Sequence, residues 1–189
     1  MKKSDLRVVY KQKRNDLRIE ELKDYDACIL EHLTKFDWSS FKYVHCYLAI
    51  EKFKEYNTSE IINWFWQKYP DIIIVSSKSD FITNELTHFQ FQKDTTLKIN
   101  DWGIPEPVST EGIPVHLIDA VICPLLIADS LGNRVGYGKG FYDRFLASCR
   151  RDIVKVGISY FEPVEPIADI STWDIPLDYL ITPLKTYSF

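Results

Sequence analysis

Four of the chain's seven glycines, Gly132, Gly136, Gly138 and Gly140, stand within nine residues in the run GNRVGYGKGFYDRFL (132–146). Arg134 and Lys139 lie among them, and an apolar, helix-compatible segment follows at once. Glycine lets backbone N–H groups approach a ligand closely, and a helix start adds unpaired N–H groups with a partial positive charge. Together with a mobile ammonium and a forked guanidinium these make a cradle for an anion, phosphate first of all. Neither common phosphate fingerprint fits. Lys139 is followed by Gly140 rather than Ser or Thr, and the glycines read G-x-G-x-G rather than G-x-G-x-x-G. General physics therefore leaves two readings of the cluster, a phosphate loop and a structural tight turn. Tyr142 and Asp143 fall in the first helical turn. The Asp143 carboxylate can balance the helix dipole, or it can hold Mg2+ beside a bound polyphosphate. Asp129, ahead of the loop, reads equally as a turn former or a site residue.

The elements that must position these groups follow from periodicity. Apolar residues at helical intervals predict a helix over 3–35 and another over 58–69, capped by Thr58 or Ser59 and closed by Pro70. Apolar runs predict strands over 43–50, 72–77, 119–129, 154–161 and 178–182, and the alternating HFQFQ predicts a sheet-edge strand over 88–92. Residues 99–115 read as a Pro- and Gly-rich loop, and 139–150 as the helix after the glycines. Continuously apolar strands alternating with helices indicate a parallel sheet covered on both faces. The expected fold is α/β: a single three-layer α/β/α domain over residues 1–189 with a mostly parallel, Rossmann-like sheet. Ligands of such sheets sit beyond the carboxyl ends of the strands, where the glycine cluster lies.

Composition narrows the function classes. The chain has 189 residues, 46% hydrophobic and 26% charged, enough for one sizeable core and against disorder. A net charge of −4 argues against a general nucleic-acid binder. Two basic islands stand out: residues 1–23 carry eight Lys/Arg against four Asp/Glu, and residues 129–151 carry five against two. Such islands suit a defined anionic ligand better than a long polyanion. The four cysteines and four histidines are scattered, without metal-ligand or redox spacing. A reduced, cytoplasmic protein is expected, without a membrane partner, since no apolar run reaches signal or transmembrane length. No heptad appears, so a monomer is expected.

The pattern D-x-x-G-N-R-V-G-Y-G-K-G-F-Y-D over 129–143 resembles the signature of the 5-formyltetrahydrofolate cyclo-ligases, the 5,10-methenyltetrahydrofolate synthetase family. Further blocks agree in order: KSDLR (3–7), EYNTSEII (55–62), WGIPEP (102–107) and an acidic block around WDIPLDYLIT (173–182). The resemblance implies an ATP-dependent ring closure with Mg2+, in which 5-formyltetrahydrofolate becomes 5,10-methenyltetrahydrofolate and ADP and phosphate leave. It implies that Lys3 and Arg7 contact the nucleotide. Their spacing of four puts both on one helical face, for which a solvated basic face is the competing reading. It implies an ATP cradle of Arg134, Gly136, Tyr137, Gly138, Lys139, Gly140, Phe141 and Tyr142, with Lys139, Arg134 and Tyr142 as the catalytic set.

The same resemblance puts Mg2+ on Asp143 and Asp174, the latter otherwise a turn residue before Pro176. It puts the folate against Ile50, Glu55, Trp102, Tyr137 and Phe141. Core packing competes for Ile50, Trp102 and Phe141, and a charge on the approach to the helix at Thr58 competes for Glu55. Glu106, between two prolines, reads as decoration of a rigid turn. Several positions depart from the family pattern: Leu125 stands for Gly, Ala128 for Phe, Ser76 and Ser77 for Pro-Arg, Leu86 for Met and Phe141 for Tyr. They bear on the pocket wall and affinity rather than the reaction. A folate- or nucleotide-binding protein without catalysis is the rival reading. Fold analogy alone adds a third, an enzyme like the sugar-phosphate isomerases or CoA transferases.

Overall fold

The helix expected over 3–35 is two: α1 (Lys3–Asp16) and α2 (Ile19–Thr34). Leu17 between them is extended, with φ −60° and ψ 131°. The break is held by side chains rather than by Gly or Pro. The Arg18 N–H donates to Glu21 Oε2 at 2.9 Å, and Lys54 Nζ donates to the carbonyls of Asn15 and Leu17 at 2.6 and 2.8 Å. These partners satisfy backbone groups that helix ends leave open.

The computed structural model describes residues 1–108 and 112–189. The remaining elements in chain order are β1 (Tyr43–Cys46), a 3-10 turn Glu51–Phe53, α3 (Thr58–Lys68), β2 (Ile73–Asp80) and β3 (Glu85–Gln90). The short pair β4 (Leu97–Ile99) and β5 (Pro105–Pro107) follows, then β6 (Ala120–Pro124), β7 (Ile127–Ala128) and β8 (Arg134–Val135). The chain closes with α4 (Phe141–Ser148), β9 (Val154–Ile158), β10 (Tyr179–Ile181) and β11 (Thr186–Ser188).

Seven strands form one sheet in the order β11-β10-β9-β6-β1-β2-β3. The inner five strands pair in parallel, while β3 and β11 run antiparallel at the two edges. Alternation along the strands divides the core. Val44, Cys46, Ala120, Ile122, Val156 and Ile158 face Ile29 and Leu33 of α2 and Ile61, Ile62 and Phe65 of α3. Val75, Val121 and Cys123 face the opposite way, against Phe145 and Leu146 of α4. This is the expected three-layer, mostly parallel arrangement. Leu6 and Tyr10 of α1 pack instead on Ile127 and Val135 of the β7–β8 ribbon, which lays α1 across the carboxyl end of the sheet.

Several boundaries differ from the sequence reading. The run 119–129 is two strands, because Pro124 has no N–H to continue the ladder and β7 pairs with β8 in a separate ribbon. The strand expected over 43–50 ends at Cys46, and the one over 88–92 begins earlier, at Glu85. Asn57, not Thr58 or Ser59, caps α3: its Oδ1 accepts from the Ser59 N–H at 3.2 Å. Thr58 instead donates its hydroxyl to the Tyr47 carbonyl at 2.6 Å and ties α3 to the end of β1. The expected loop over 99–115 contains β5, and residues 109–111 of it lie outside the described residues. Strand β11 was not anticipated. No helix among the described residues is long and apolar enough to cross a membrane.

Candidate active site

From β1 the chain steps to β2 on one side of the sheet and later returns to β6 on the other. The carboxyl ends of β1 and β6 thus flank the point where strand order reverses, the usual crevice for a ligand in such sheets. A cavity of about 350 Å3 opens there, walled by Tyr47 after β1, Ser76, Ser77 and Ser79 of β2, and Pro124 at the end of β6. Every site residue named from the sequence lines it: Lys3, Arg7, Ile50, Glu55, Trp102, Arg134, Gly136, Tyr137, Gly138, Lys139, Gly140, Phe141, Tyr142, Asp143 and Asp174.

The glycine cluster is part strand and part loop. Arg134 sits on β8 and is buried, and α4 begins at Phe141 rather than 139. Gly138 and Gly140 have φ of +91° and +72°, a conformation that other residues rarely adopt. A side chain at Gly138 would also press on the Arg7 guanidinium, 3.1 Å from the Cβ position. At Gly136 a Cβ would meet nothing within 4 Å, so that glycine leaves open space in the cavity wall. The N–H groups of Phe141, Tyr142 and Asp143, at the start of α4, have no intrahelical partner, and these residues line the cavity. Asp129 resolves as a turn former. Fully buried, it accepts from the N–H groups of Leu131, Asn133 and Ile167, each at 2.9 Å.

The cations of the site differ in how they are held. Arg134 donates to Asp143 Oδ1 at 2.8 Å and to the Ile175 carbonyl. Lys3 pairs with Asp174 Oδ2, which also accepts from the Ser171 N–H at 2.6 Å. Arg7 Nε donates to the Gly136 carbonyl at 3.0 Å, leaving its terminal nitrogens toward the cavity. Lys139 is exposed, and its ammonium has no partner among the described residues. The two carboxylates expected at the metal are therefore each paired with a cation. Ile175 donates its N–H to Asp143 Oδ1 at 3.3 Å, which sets Asp174 beside Asp143. Each keeps one oxygen without a protein partner, but no group of three or more His, Cys, Asp or Glu gathers as for a metal ion among the described residues.

On the other side of the cavity the ring of Phe81 stacks on Trp102 at 4.8 Å and meets Phe141 edge-on at 5.2 Å. Trp102 is 54% exposed, so it is cavity wall rather than core. Glu55 is buried and lines the same cavity. Its Oε1 accepts from the Tyr137 hydroxyl at 2.6 Å and its Oε2 from the Ile50 N–H at 2.7 Å. Burial pushes its acidity below the ordinary carboxylate range, raising the pKa, while these hydrogen bonds and the Arg14 charge pull the other way. The Tyr142 phenol is held well above its ordinary pKa by burial, so it is a donor at neutral pH. Its ring packs on His45 and Phe145. His45 and His88 are buried against Phe145 and kept neutral by that burial, His88 with a pKa down to about 4, and they belong to the core behind the site.

Sequence reasoning missed or undervalued several side chains, Arg14 of α1 among them. Lys11, otherwise an ordinary surface lysine, lines the cavity with its ammonium 5.6 Å from the Tyr137 ring centre. Its signal was available: Lys3, Arg7, Lys11 and Arg14 recur at spacings of four, four and three, one stripe of a helix. Phe81 at the β2–β3 hairpin tip had no signal of its own. Arg144 donates to the Asn84 carbonyl at 2.8 Å and to the Lys139 carbonyl at 2.6 Å, tying that hairpin to the glycine loop. Glu106 is more than decoration, since its carboxylate accepts from the Ser79 N–H at 2.8 Å. Of the departures from the family pattern, Ser76, Ser77, Leu86 and Phe141 line the cavity, whereas Leu125 and Ala128 are buried outside it.

A mostly parallel sheet with a glycine-lined cationic cleft at its reversal point defines an α/β protein whose cleft is suited to an anionic ligand. The comparisons narrow this. The model of the 5-formyltetrahydrofolate cyclo-ligase family matches residues 1–183, and the chain belongs to that family. It is 25% identical over 182 residues to the 5-formyltetrahydrofolate cyclo-ligase of Haemophilus influenzae, covering 93% of this chain and 95% of that protein. Its fold matches the NMR structure of Aquifex aeolicus 5,10-methenyltetrahydrofolate synthetase with a TM-score of 0.79 at 27% identity, covering 100% of this chain and 93% of the other. The corresponding synthetase from Mycoplasma pneumoniae gives 0.76 at 28% identity, with 96% and 98% covered.

Proposed function

We propose that this chain, acting as one cytoplasmic domain and as a monomer, converts 5-formyltetrahydrofolate to 5,10-methenyltetrahydrofolate with ATP and Mg2+. The observation that carries the reading is one cavity in which a cationic glycine loop and a buried carboxylate with aromatic walls face each other. Such a place lets a phosphoryl donor and a pterin meet. The formyl group is amide-like and a poor electrophile. Transfer of the γ-phosphoryl group to its oxygen releases ADP. The bridge nitrogen then closes onto the formyl carbon, phosphate leaves and the nitrogen gives up its proton. This chemistry asks the protein for alignment and charge neutralisation above all.

Lys139, exposed and without a partner among the described residues, neutralises the transferring phosphoryl group. Arg134 acts from below, and the Tyr142 hydroxyl donates to the same oxygens. Lys3 and Arg7 hold the nucleotide against Gly136, Gly138 and Gly140, where the open side of Gly136 and the free N–H groups of α4 fit a phosphate. Asp143 and Asp174 fit a cation that takes few protein carboxylates and shares phosphate oxygens, and Mg2+ there would offset phosphate charge. Glu55 accepts the pterin's N–H donors, with Ile50 and Tyr137 beside it and Trp102 and Phe141 against the ring faces.

The test is direct. Protein mixed with 5-formyltetrahydrofolate, ATP and Mg2+ is followed by the near-ultraviolet absorbance of the methenyl product. Absorbance rising in step with ADP release is expected. Binding of both ligands without product at high protein concentration would sink the catalytic reading and leave a binding protein.

A further inference from the structure

Arg14 is 5% exposed and does not line the large cavity. It lines a separate small cavity of about 10 Å3, room for about one water, together with Glu55, Tyr47 and Tyr56. Glu55 borders both spaces, whereas Tyr137 borders only the large one. Arg14 Nη2 donates to the Tyr137 hydroxyl oxygen, and Nη1 donates to the Leu125 carbonyl at 3.3 Å. Tyr137 in turn donates to Glu55 Oε1 at 2.6 Å.

The direction of this chain is forced. A guanidinium donates only and keeps its protons, so the Tyr137 oxygen must accept from Arg14. The single phenolic proton is then left for Glu55. With the Ile50 N–H on the other oxygen, both oxygens of Glu55 act as acceptors, and the residue lines the cavity. We propose that Arg14 is a positioning residue for the folate site: it acts through Tyr137 to keep Glu55 an oriented, ionised acceptor for N–H donors of the substrate. This rests on the folate reading of Glu55 above. The groups facing Glu55 are Arg14 from α1, Tyr137 from the loop, Tyr142 from α4 and Tyr47 after β1. Arg14 is the only permanent charge among them. Burial, the largest influence, favours the protonated acid, while the Tyr137 and Ile50 hydrogen bonds and the Arg14 charge favour the carboxylate, so losing that charge shifts Glu55 toward taking up a proton.

The experiment compares Arg14→Met, Arg14→Lys and Tyr137→Phe in the full chain, with circular dichroism as the check on folding. Arg14→Met should raise the KM for 5-formyltetrahydrofolate about tenfold, the loss of one charge-assisted hydrogen bond, with the KM for ATP within about twofold. The acid limb of kcat/KM, and the carboxyl resonance of Glu55 in 13C-glutamate-labelled protein, should move to higher pH. Arg14→Lys should return the titration toward wild type while restoring KM only in part, because one ammonium cannot hold both Tyr137 and Leu125. Adding Arg14→Met to Tyr137→Phe should change the folate KM little further. Equal rises in both KM values, or a Glu55 titration that does not move in Arg14→Met, would overturn the proposal. If Arg14→Met does not fold, a folate KM unchanged in both Arg14→Lys and Tyr137→Phe overturns it equally. An inactive wild type would sink the reaction itself, while the Glu55 titration would still decide what Arg14 does.

Discussion

The two walls of the cavity are built on opposite principles. The polar wall, from α1, β8 and the start of α4, is a mesh of charge-assisted contacts: Arg134 to Asp143, Lys3 to Asp174 and Arg7 to the Gly136 carbonyl. The aromatic wall of Trp102, Phe81 and Phe141 is held by ring contacts and is substantially open to solvent. One wall is preorganised for charge, where a misplaced donor is worth little. The other offers flat surface, where a stack tolerates small shifts. Within the polar wall Lys139 alone among the lining cations has no partner among the described residues, no ring beneath it and no carbonyl to hold it. Anchored groups shape the cradle, and on the proposed function the free one is left to follow the moving charge.

If that division holds, the largest loss comes from the free cation. Lys139→Ala should lower kcat/KM by about 10²–10³-fold, the usual cost of removing one transition-state donor, while exposed Lys23→Ala on α2 changes nothing measurable. Comparable losses in the two variants, by the methenyl absorbance assay, would break the comparison. Next is Asp143. Asparagine keeps an oxygen for Arg134 and for the Ile175 N–H, so Asp143→Asn should fold normally yet need about tenfold more Mg2+ for half-maximal rate. Asp143→Ala strands the buried Arg134 charge and should also lower stability by about 3 kcal/mol in urea denaturation. An unchanged Mg2+ response in Asp143→Asn would remove that carboxylate from the metal. On the aromatic wall, Trp102→Ala should raise the folate KM about three- to tenfold, a stacking term of about 1 kcal/mol, with kcat nearly constant. A fall in kcat with KM unchanged would mean that the ring helps the reaction rather than binding.

The same contrast explains what could be read from sequence. The polar wall announced itself because glycine concentrated before a helix is a local anomaly, whereas Lys3 and Arg7 were assigned only through the family resemblance, since their shared helical face reads equally as a solvated basic stripe. The parallel sheet was legible from continuous apolar strands, for which burial on both faces leaves no polar alternation. The aromatic wall was only half legible. Phe81 at a hairpin tip looks like any apolar residue until tertiary structure brings it to Trp102. Arg14 was missed for a related reason, since a buried, fully satisfied arginine and a solvated one are the same letter. The break at Leu17 was hidden because its stabilising partner, Lys54, is distant in sequence. Pro124, in contrast, was present as a stop signal inside 119–129 and was outweighed by the length of the apolar run.

Arg144 joins the two walls and gives the smallest and sharpest test of their separateness. Its Nε takes the Asn84 carbonyl at the hairpin tip, its Nη2 takes the Lys139 carbonyl, and Asn84 itself has φ of +57°. Neither bond touches a ligand, and both lie at the surface, where a hydrogen bond contributes about 1 kcal/mol or less. Arg144→Lys keeps the charge but can satisfy only one carbonyl at a time. If the tether registers the hairpin against the loop, the variant should raise the KM for ATP and for 5-formyltetrahydrofolate together, by about two- to threefold each, with Tm little changed. A rise confined to ATP would mean that Arg144 merely shapes the glycine loop. The aromatic wall would then stand without help from the polar one, and the two would have to be treated as independent binding surfaces.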